Sequence, residues 1–281
     1  MSNQQAKSAV PVPIRVGTDA GATRSPHAAD VGFWTRIWIA RIVCLVAFGM
    51  LWEYVATRGI INPIFIGTPS KILTYFWNGL FVNYGLVKDL LWTLAGTAAA
   101  FLVGSISGIL VGLLFVVYPT FEKFIDPLMS ALNALPRIAL APLFLLWFGL
   151  GIASKIALGA SLTFFIVLSS TVAGVRSVDL DLLTLSRTLG ASQAQVFARI
   201  TLPSAVPTLF SGLRLGLIYA MLGVIASEII AAEHGLGQSL SYLSGTFQID
   251  GVYAVLLLLS LLGVSITWMM SVIEARLLRW R

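Results

Sequence analysis

The stretch that decides the fold is residues 176–207, RSVDLDLLTLSRTLGASQAQVFARITLPSAVP, which lies between two long apolar runs and carries helical signals of its own. Asp179 or Ser177 can cap a first short helix whose apolar residues are Leu180, Leu182, Leu183, Leu185 and Leu189. Gly190 suits the left-handed backbone that closes a helix. Ser192 opens a second helix, and Gln195 three residues on completes a capping box. Val196, Phe197 and Ile200 give this helix an apolar side, and Pro203 and Pro207 are expected to end it and lead into the next apolar run. The expected product is a pair of short helices at an angle, projecting from a membrane. An apolar ridge held outside lipid reads as a docking knob for a soluble partner.

The membrane itself is read from composition. The chain has 281 residues, of which 58% are hydrophobic and 11% charged, against about 25% charged in an ordinary soluble domain. Mean hydropathy is +0.91. Such a chain cannot cover a water-facing surface with polar groups, which excludes a disordered chain, a disulfide scaffold and almost any soluble enzyme. The excess of 18 Lys+Arg over 12 Asp+Glu, a net +6, fits loops facing an anionic leaflet rather than nucleic acid. The single cysteine, Cys44, reads as packing in an apolar run, and the two histidines, His27 and His234, are too far apart to form a metal motif.

Six apolar segments are expected to cross the membrane: about 37–56, 90–121, 125–150, 156–175, 206–231 and 251–273. About 20 apolar residues span a hydrocarbon core of about 30 Å, with every backbone polar group satisfied inside the helix. The third segment must kink at Pro136 and Pro142. Residues 1–33 are expected to form a disordered cytoplasmic tail. Residues 34–89 hold the first span and an outer interfacial helix, and residues 90–281 a five-span core with its 176–207 loop. Lys and Arg cluster on the N-terminal flank, in the 176–207 loop and at the C-terminus, while 232–250 has neither. Both termini and the 176–207 loop are therefore expected on the cytoplasmic side.

The outer connection, 57–89, carries a candidate helix with Ser70 as N-cap and Ile72, Leu73, Tyr75, Phe76 and Leu80 on its apolar side. It lies either in the membrane interface or against the bundle. Small residues recur every fourth position at Gly96, Ala100, Gly104, Gly108 and Gly112, and again at Gly212, Gly216 and Ala220. Such rows let helix backbones approach closely. They face a helix of the same chain or of another copy, with packing inside the chain the favoured reading.

Gly190, nine residues, Ile200, one residue, then Leu202-Pro203 resembles the coupling loop of ATP-binding-cassette importer permeases, whose pattern is Glu-Ala-Ala, three residues, Gly, nine residues, Ile-x-Leu-Pro. The Gly-to-Pro spacing matches. At the Glu-Ala-Ala positions this chain has Thr184, Leu185 and Ser186, which removes one charged contact. Further runs are similar to the subfamily that imports nitrate, sulfonates, taurine, bicarbonate and related anions: Asn62-Pro63 with Pro69-Ser70, residues 146–149 (LWFG), residues 190–192 (GAS), residues 212–214 (GLR), and Glu228 followed by residues 235–237 (GLG). The resemblance covers about residue 65 to the C-terminus.

The resemblance implies an all-α membrane protein with six spans and cytoplasmic coupling helices between the fourth and fifth, in a bacterial inner membrane. It implies a homodimer of permeases, a cytoplasmic ATPase dimer that holds ATP and Mg, and a periplasmic or lipid-anchored substrate-binding protein. The permease itself carries no cofactor and is not an enzyme. In agreement, the sequence contains no phosphate-binding Gly-x-x-x-x-Gly-Lys-Ser/Thr loop. The residues carried over to the ATPase-coupling loop are Thr184, Ser186, Gly190, Ala191, Ser192, Phe197, Ile200, Leu202 and Pro203. A secondary carrier or channel working without an ATPase is the alternative, but the two halves show no internal repeat.

Two ionisable residues at membrane depth are singled out as pathway or gate candidates, Glu228 and Arg137. Each costs about 2.5–3.5 kcal/mol at a helix centre on insertion scales. For Glu228 a structural salt bridge is the competing reading, and for Arg137 snorkelling or helix pairing. Arg214, at the cytoplasmic entry to the fifth segment, reads as an orientation anchor or as a partner for a loop carboxylate such as Asp179 or Asp181. Glu233 and His234 are expected on a solvated outer loop.

Overall fold

The computed structural model describes residues 27–277. Residues 1–26 of the expected N-terminal tail, and the last four residues, lie outside them. The chain divides into two compact units, one ending at Met50 and one beginning at Leu51. The first helix, α1 (His27–Thr57), starts in the former. Its described side chains from Phe33 through Met50 are almost all exposed, Cys44 among them, so the expected packing role of that cysteine does not hold within its own unit.

The second unit is built from helices throughout. After α1 come α2 (Pro63–Ile66) and α3 (Pro69–Trp77), then α4 (Gly85–Val117), α5 (Pro119–Ala134) and α6 (Ala141–Phe148). These are followed by α7 (Ile152–Arg176), α8 (Leu180–Thr188), α9 (Gln193–Val196), α10 (Leu202–Ile230), α11 (Leu236–Gly245) and α12 (Ile249–Leu277). Among the described residues, five runs are long and apolar enough to cross a membrane: 35–57, α4, α7, 193–230 and α12. The α5–α6 pair makes a sixth when counted as one broken span. The expected six-span, all-helical architecture is what the structure has.

The third span differs from a kinked helix. Its two halves meet at 83°. The break falls at Leu135 and Pro136, both in extended backbone, because a residue preceding proline is driven out of the α region. One 3₁₀ turn, Arg137–Leu140, then leads into α6. Pro142 sits in the first turn of α6, where its missing N–H leaves nothing unpaired, so it bends nothing.

Helix α7 lies between α4 and α10, and the small-residue rows explain why. A β-carbon on Gly104 would lie 2.7 Å from the Ala160 carbonyl oxygen, and one on Gly108 would lie 2.7 Å from that of Phe164. One on Gly112 would lie 2.8 Å from the Thr171 β-carbon. All three α4 glycines therefore press on α7. Gly212 abuts Ser170, and a β-carbon on Gly216 would come 3.0 Å from Val167, so α10 presses on the same helix, sharing Thr163 and Val167 with α4. The rows pack within the chain. Thr163 reinforces this contact by donating to the Gly216 carbonyl (3.0 Å) across it.

A second apolar cluster joins α4, α10, α11 and α12 through Leu86, Leu217, Met221, Leu236, Val255 and Leu258. Helix α3 lies against it with Tyr75 and Phe76 turned inward and Ile72 buried. The outer helix thus packs on the bundle, with Leu73 and Trp77 left on its outer side. Its N-cap is Thr68 rather than Ser70, because Pro69 takes the first helical position. Ser70 instead donates its backbone N–H (3.0 Å) and hydroxyl (2.8 Å) to Glu53.

Candidate functional site

The 177–201 segment closes one end of the unit, joining the end of α7 to the start of α10. Asp179 caps α8 by accepting from the Asp181 backbone N–H at 2.8 Å. Helix α8 ends at Thr188 with Leu189 as its C-cap, and Gly190 follows with φ +84°, a conformation that L side chains rarely adopt. The Gly190 N–H donates to Arg187 O and the Ala191 N–H to Ser186 O, both at 3.0 Å, which satisfies carbonyls of the last turn. Ser192 and Gln195 form the expected capping box, at 2.9 and 3.3 Å.

Beyond the box the structure departs from expectation. Pro203 and Pro207 do not end the second helix. From Gln193 to Ile230 the chain is one helical run. A π-helical turn at Phe197–Thr201 joins α9 to α10, and the Leu202 N–H reaches back to the Phe197 carbonyl. The wider turn falls just ahead of Pro203, a residue that cannot donate to the ladder. Only α8 is therefore a separate short helix. The capped end of α9 is an extension of the α10 span.

The apolar residues of this segment part into two sets. Val196 is buried, with Phe197 and Ile200 half-buried beside it. Leu180, Leu182, Leu185 and Leu189 stay exposed, Leu180 at 74% and Leu189 at 79%. Thr184 and Ser186 turn their hydroxyls back onto the Leu180 and Leu182 carbonyls of their own helix (2.8 and 2.6 Å). Leu202 and Pro203 are exposed where the segment meets α10.

The opposite end of the unit holds a buried polar cluster. Glu228, near the end of α10, and Lys155, in the first turn of α7, form an ion pair at 3.0 Å with 1% and 3% exposure. Thr93 of α4 donates to Glu228 (2.9 Å to Oε2), and the Gly237 backbone N–H donates to the same oxygen at 3.0 Å. Thr93 in turn accepts from the Leu236 N–H at 2.9 Å. Lys155 also donates to the His234 carbonyl, and Asp89 accepts from the Gly235 N–H and the Ser239 hydroxyl. Gly235 has φ +121° and stands against the Glu228 carboxylate, where a β-carbon would collide. The run 235–237 is thus the backbone wrap around one carboxylate.

Sequence reasoning singled out Glu228 but passed over its partner, because Lys155 falls in the gap between two apolar segments. The signal was a lone lysine at the start of a span, to be matched with a lone glutamate at the end of another. His234 lies, as expected, in the connection between α10 and α11, half-buried beside the exposed Glu233. Its ring stacks on Trp92 with centroids 5.3 Å apart. Arg214 pairs with Glu274 of α12 rather than with Asp179 or Asp181. Arg137 stands at the break in the third span, bonded to Asn133 and lying 4.1 Å over the Phe165 ring, so α5 and α7 hold it jointly. It does not approach Glu228. The metal expectation concerned only a His pair, and among the described residues no group of His, Cys, Asp and Glu has a metal-binding arrangement.

Residues 100–279 match the family model described as "binding-protein-dependent transport system inner membrane component". The chain is 33% identical over 237 residues to the formylaminopyrimidine transport permease protein ThiX of Halalkalibacterium halodurans, covering 83% of this chain and 92% of that one. It is 32% identical over 234 residues to the taurine transport system permease protein TauC of Escherichia coli K12, covering 82% and 85%. Its fold is similar to a chain of the inward-facing MetNI methionine ABC transporter, with TM-score 0.60 at 22% identity over 69% of this chain and 96% of that one.

Proposed function

The chain belongs to the family of binding-protein-dependent transport inner membrane components, and from that premise we propose that two copies of it form the solute pathway of an ATP-binding-cassette importer. In this reading the 177–201 segment faces the cytoplasm and seats on an ATPase dimer. A separate binding protein delivers solute at the opposite end, where 232–250 carries no Lys or Arg. The chain transmits the ATPase movement and hydrolyses nothing itself. The solute is small and anionic, of the sulfonate, nitrate or bicarbonate kind.

The observation that carries this reading is the exposed leucine ridge of α8, which is presented by a frame held firm at both ends. Asp179 caps its start, Gly190 turns the chain at its end, and the Ser192–Gln195 box begins a helical run that continues through the membrane as α10. A push on that ridge crosses the Gly190 turn to the helical run 193–230, and reaches α7 through the Gly212 and Gly216 contacts. The hydroxyls of Thr184 and Ser186 turn onto their own helix, so neither adds a free polar group to the apolar ridge of α8.

The test is purification of the tagged chain from its native membranes in mild detergent, with partners identified by mass spectrometry. An ATPase should co-purify in stoichiometric amount and be lost when Gly190 and Pro203 are substituted. Solute transport by the chain alone in liposomes, with no ATPase present, would overturn the reading in favour of a secondary carrier.

A further inference from the structure

Three cations of the second unit lie against carboxylates: Lys155 with Glu228, Arg176 with Glu122 and Arg214 with Glu274. Arg137 does not. It stands where the third span breaks, between α5 and the 3₁₀ turn that leads into α6. Broken backbone at membrane depth is tolerated where it lines a cavity or is buried in protein. Among the described residues, Arg137 donates hydrogen bonds only from Nη2, to the carbonyl and side-chain oxygens of Asn133. Its other guanidinium donors have no partner, and its flat face lies on Phe165. An amide and an aromatic ring fix the orientation of the charge without neutralising it.

The same two residues open onto a cavity. Asn133 and Phe165, with Ser130 and Ser169, line a cleft of about 360 Å³ between α5 and α7. Its walls also include Asp126 and the Glu122–Arg176 pair. Asp126 precedes Asn133 by seven residues, roughly 10 Å along a helix at 1.5 Å per residue. Arg137 is not itself on the wall; the cleft reaches the two residues that hold it, Asn133 and Phe165, with Ser130 beside Asn133 and Asp126 farther along α5.

Resting on the pathway reading above, we propose that Arg137 recognises the oxyanion headgroup of the transported solute, a sulfonate or a carboxylate, as it passes the break between α5 and α6. A guanidinium presents a planar fork of donors that matches two oxygens of such a group at once. Phe165 behind it and Asn133 beside it hold that fork in register. Lysine at this position keeps the charge and loses the fork.

The test uses the intact importer in cells, with radiolabelled ethanesulfonate as an anionic probe, taurine as a zwitterionic sulfonate and formylaminopyrimidine as an uncharged probe. Arg137→Gln, at the membrane abundance of the parent, should cut sulfonate uptake at least tenfold. Arg137→Lys should keep part of the uptake and raise the half-saturating solute concentration several-fold. Sulfonate uptake by Arg137→Gln within twofold of the parent overturns the proposal, and so does a parent that carries only the uncharged probe. If Arg137→Gln fails to accumulate, Arg137→Lys decides, and an unchanged half-saturating concentration overturns the proposal. Failure of the underlying importer reading is a separate result: no ATPase co-purifies with the parent chain.

Discussion

Lys155 and Glu228 meet at 3.0 Å inside the helical unit, each almost wholly removed from the surface, and each on a span that is otherwise apolar near that point. Glu228 is also bonded by Thr93 and by the Gly237 N–H, so four elements, α4, α7, α10 and α11, converge on one carboxylate. Breaking such a pair by removing one partner leaves an uncompensated buried charge, at a cost of about 3–5 kcal/mol. Lys155→Met and Glu228→Met should each lower the thermal midpoint of the purified protein sharply. The double variant should regain much of the loss, because neither charge remains. Additive losses in the double variant would mean that the pair is not coupled.

The seam between α4 and α7 predicts a graded response to added volume. Gly108→Leu forces a side chain into the Phe164 carbonyl, where even a β-carbon would sit at 2.7 Å. Overpacking of this kind costs about 1–3 kcal/mol or more. Gly263→Ala is the control, since its nearest neighbour, the Met221 methyl, would be 3.5 Å away in ordinary contact. Detergent-resistant monodispersity, followed by size-exclusion chromatography, should collapse for the first and stay unchanged for the second.

Gly190 separates backbone conformation from crowding. A β-carbon there would meet nothing within 4 Å, but φ is +84°. Gly190→Val should therefore insert into the membrane normally, carry backbone strain of about 1–3 kcal/mol at the turn, and lose uptake. Gly190→Asn, which visits the left-handed region far more readily, should retain more uptake than the valine variant. Equal activity of the two variants would show that the turn is not what matters.

Ser192→Ala removes the side-chain oxygen of the capping box, worth about 1 kcal/mol at a helix start. Amide hydrogen exchange over 193–201 should speed up, while exchange in the middle of α10 should not change. ATPase recovery in the purification should fall in part rather than vanish, because Val196 remains to anchor the segment in the protein interior.

The legible parts of this molecule were those governed by local chemistry. The capping box at Ser192, the Gly190 turn and the apolar runs follow from single residues and short spacings. The positions that misled were prolines. Pro203 was expected to stop a helix, yet a π-helical turn ahead of it carries the helical run through. Pro136 was expected to kink one, and the break is 83°. A proline states that a ladder bond is missing, but not how the surrounding backbone adjusts.

Local sequence was enough to show that this chain crosses a membrane about six times, roughly where each span lies, and that it carries a capped segment with an apolar ridge between the fourth and fifth. Hydropathy and capping are properties of neighbours along the chain, so they can be read there. The tertiary structure alone decided that Glu228 answers Lys155, 73 residues away. It also decided that Arg214 turns to Glu274, that both glycine rows press on the same helix α7, and that Arg137 stands without a carboxylate beside a cleft. The physical reason is that a charge in an apolar span requires some compensation, but many side chains can supply it. Which one does depends on how the helices are rotated and stacked, and that is settled only when their small-residue faces close on one another.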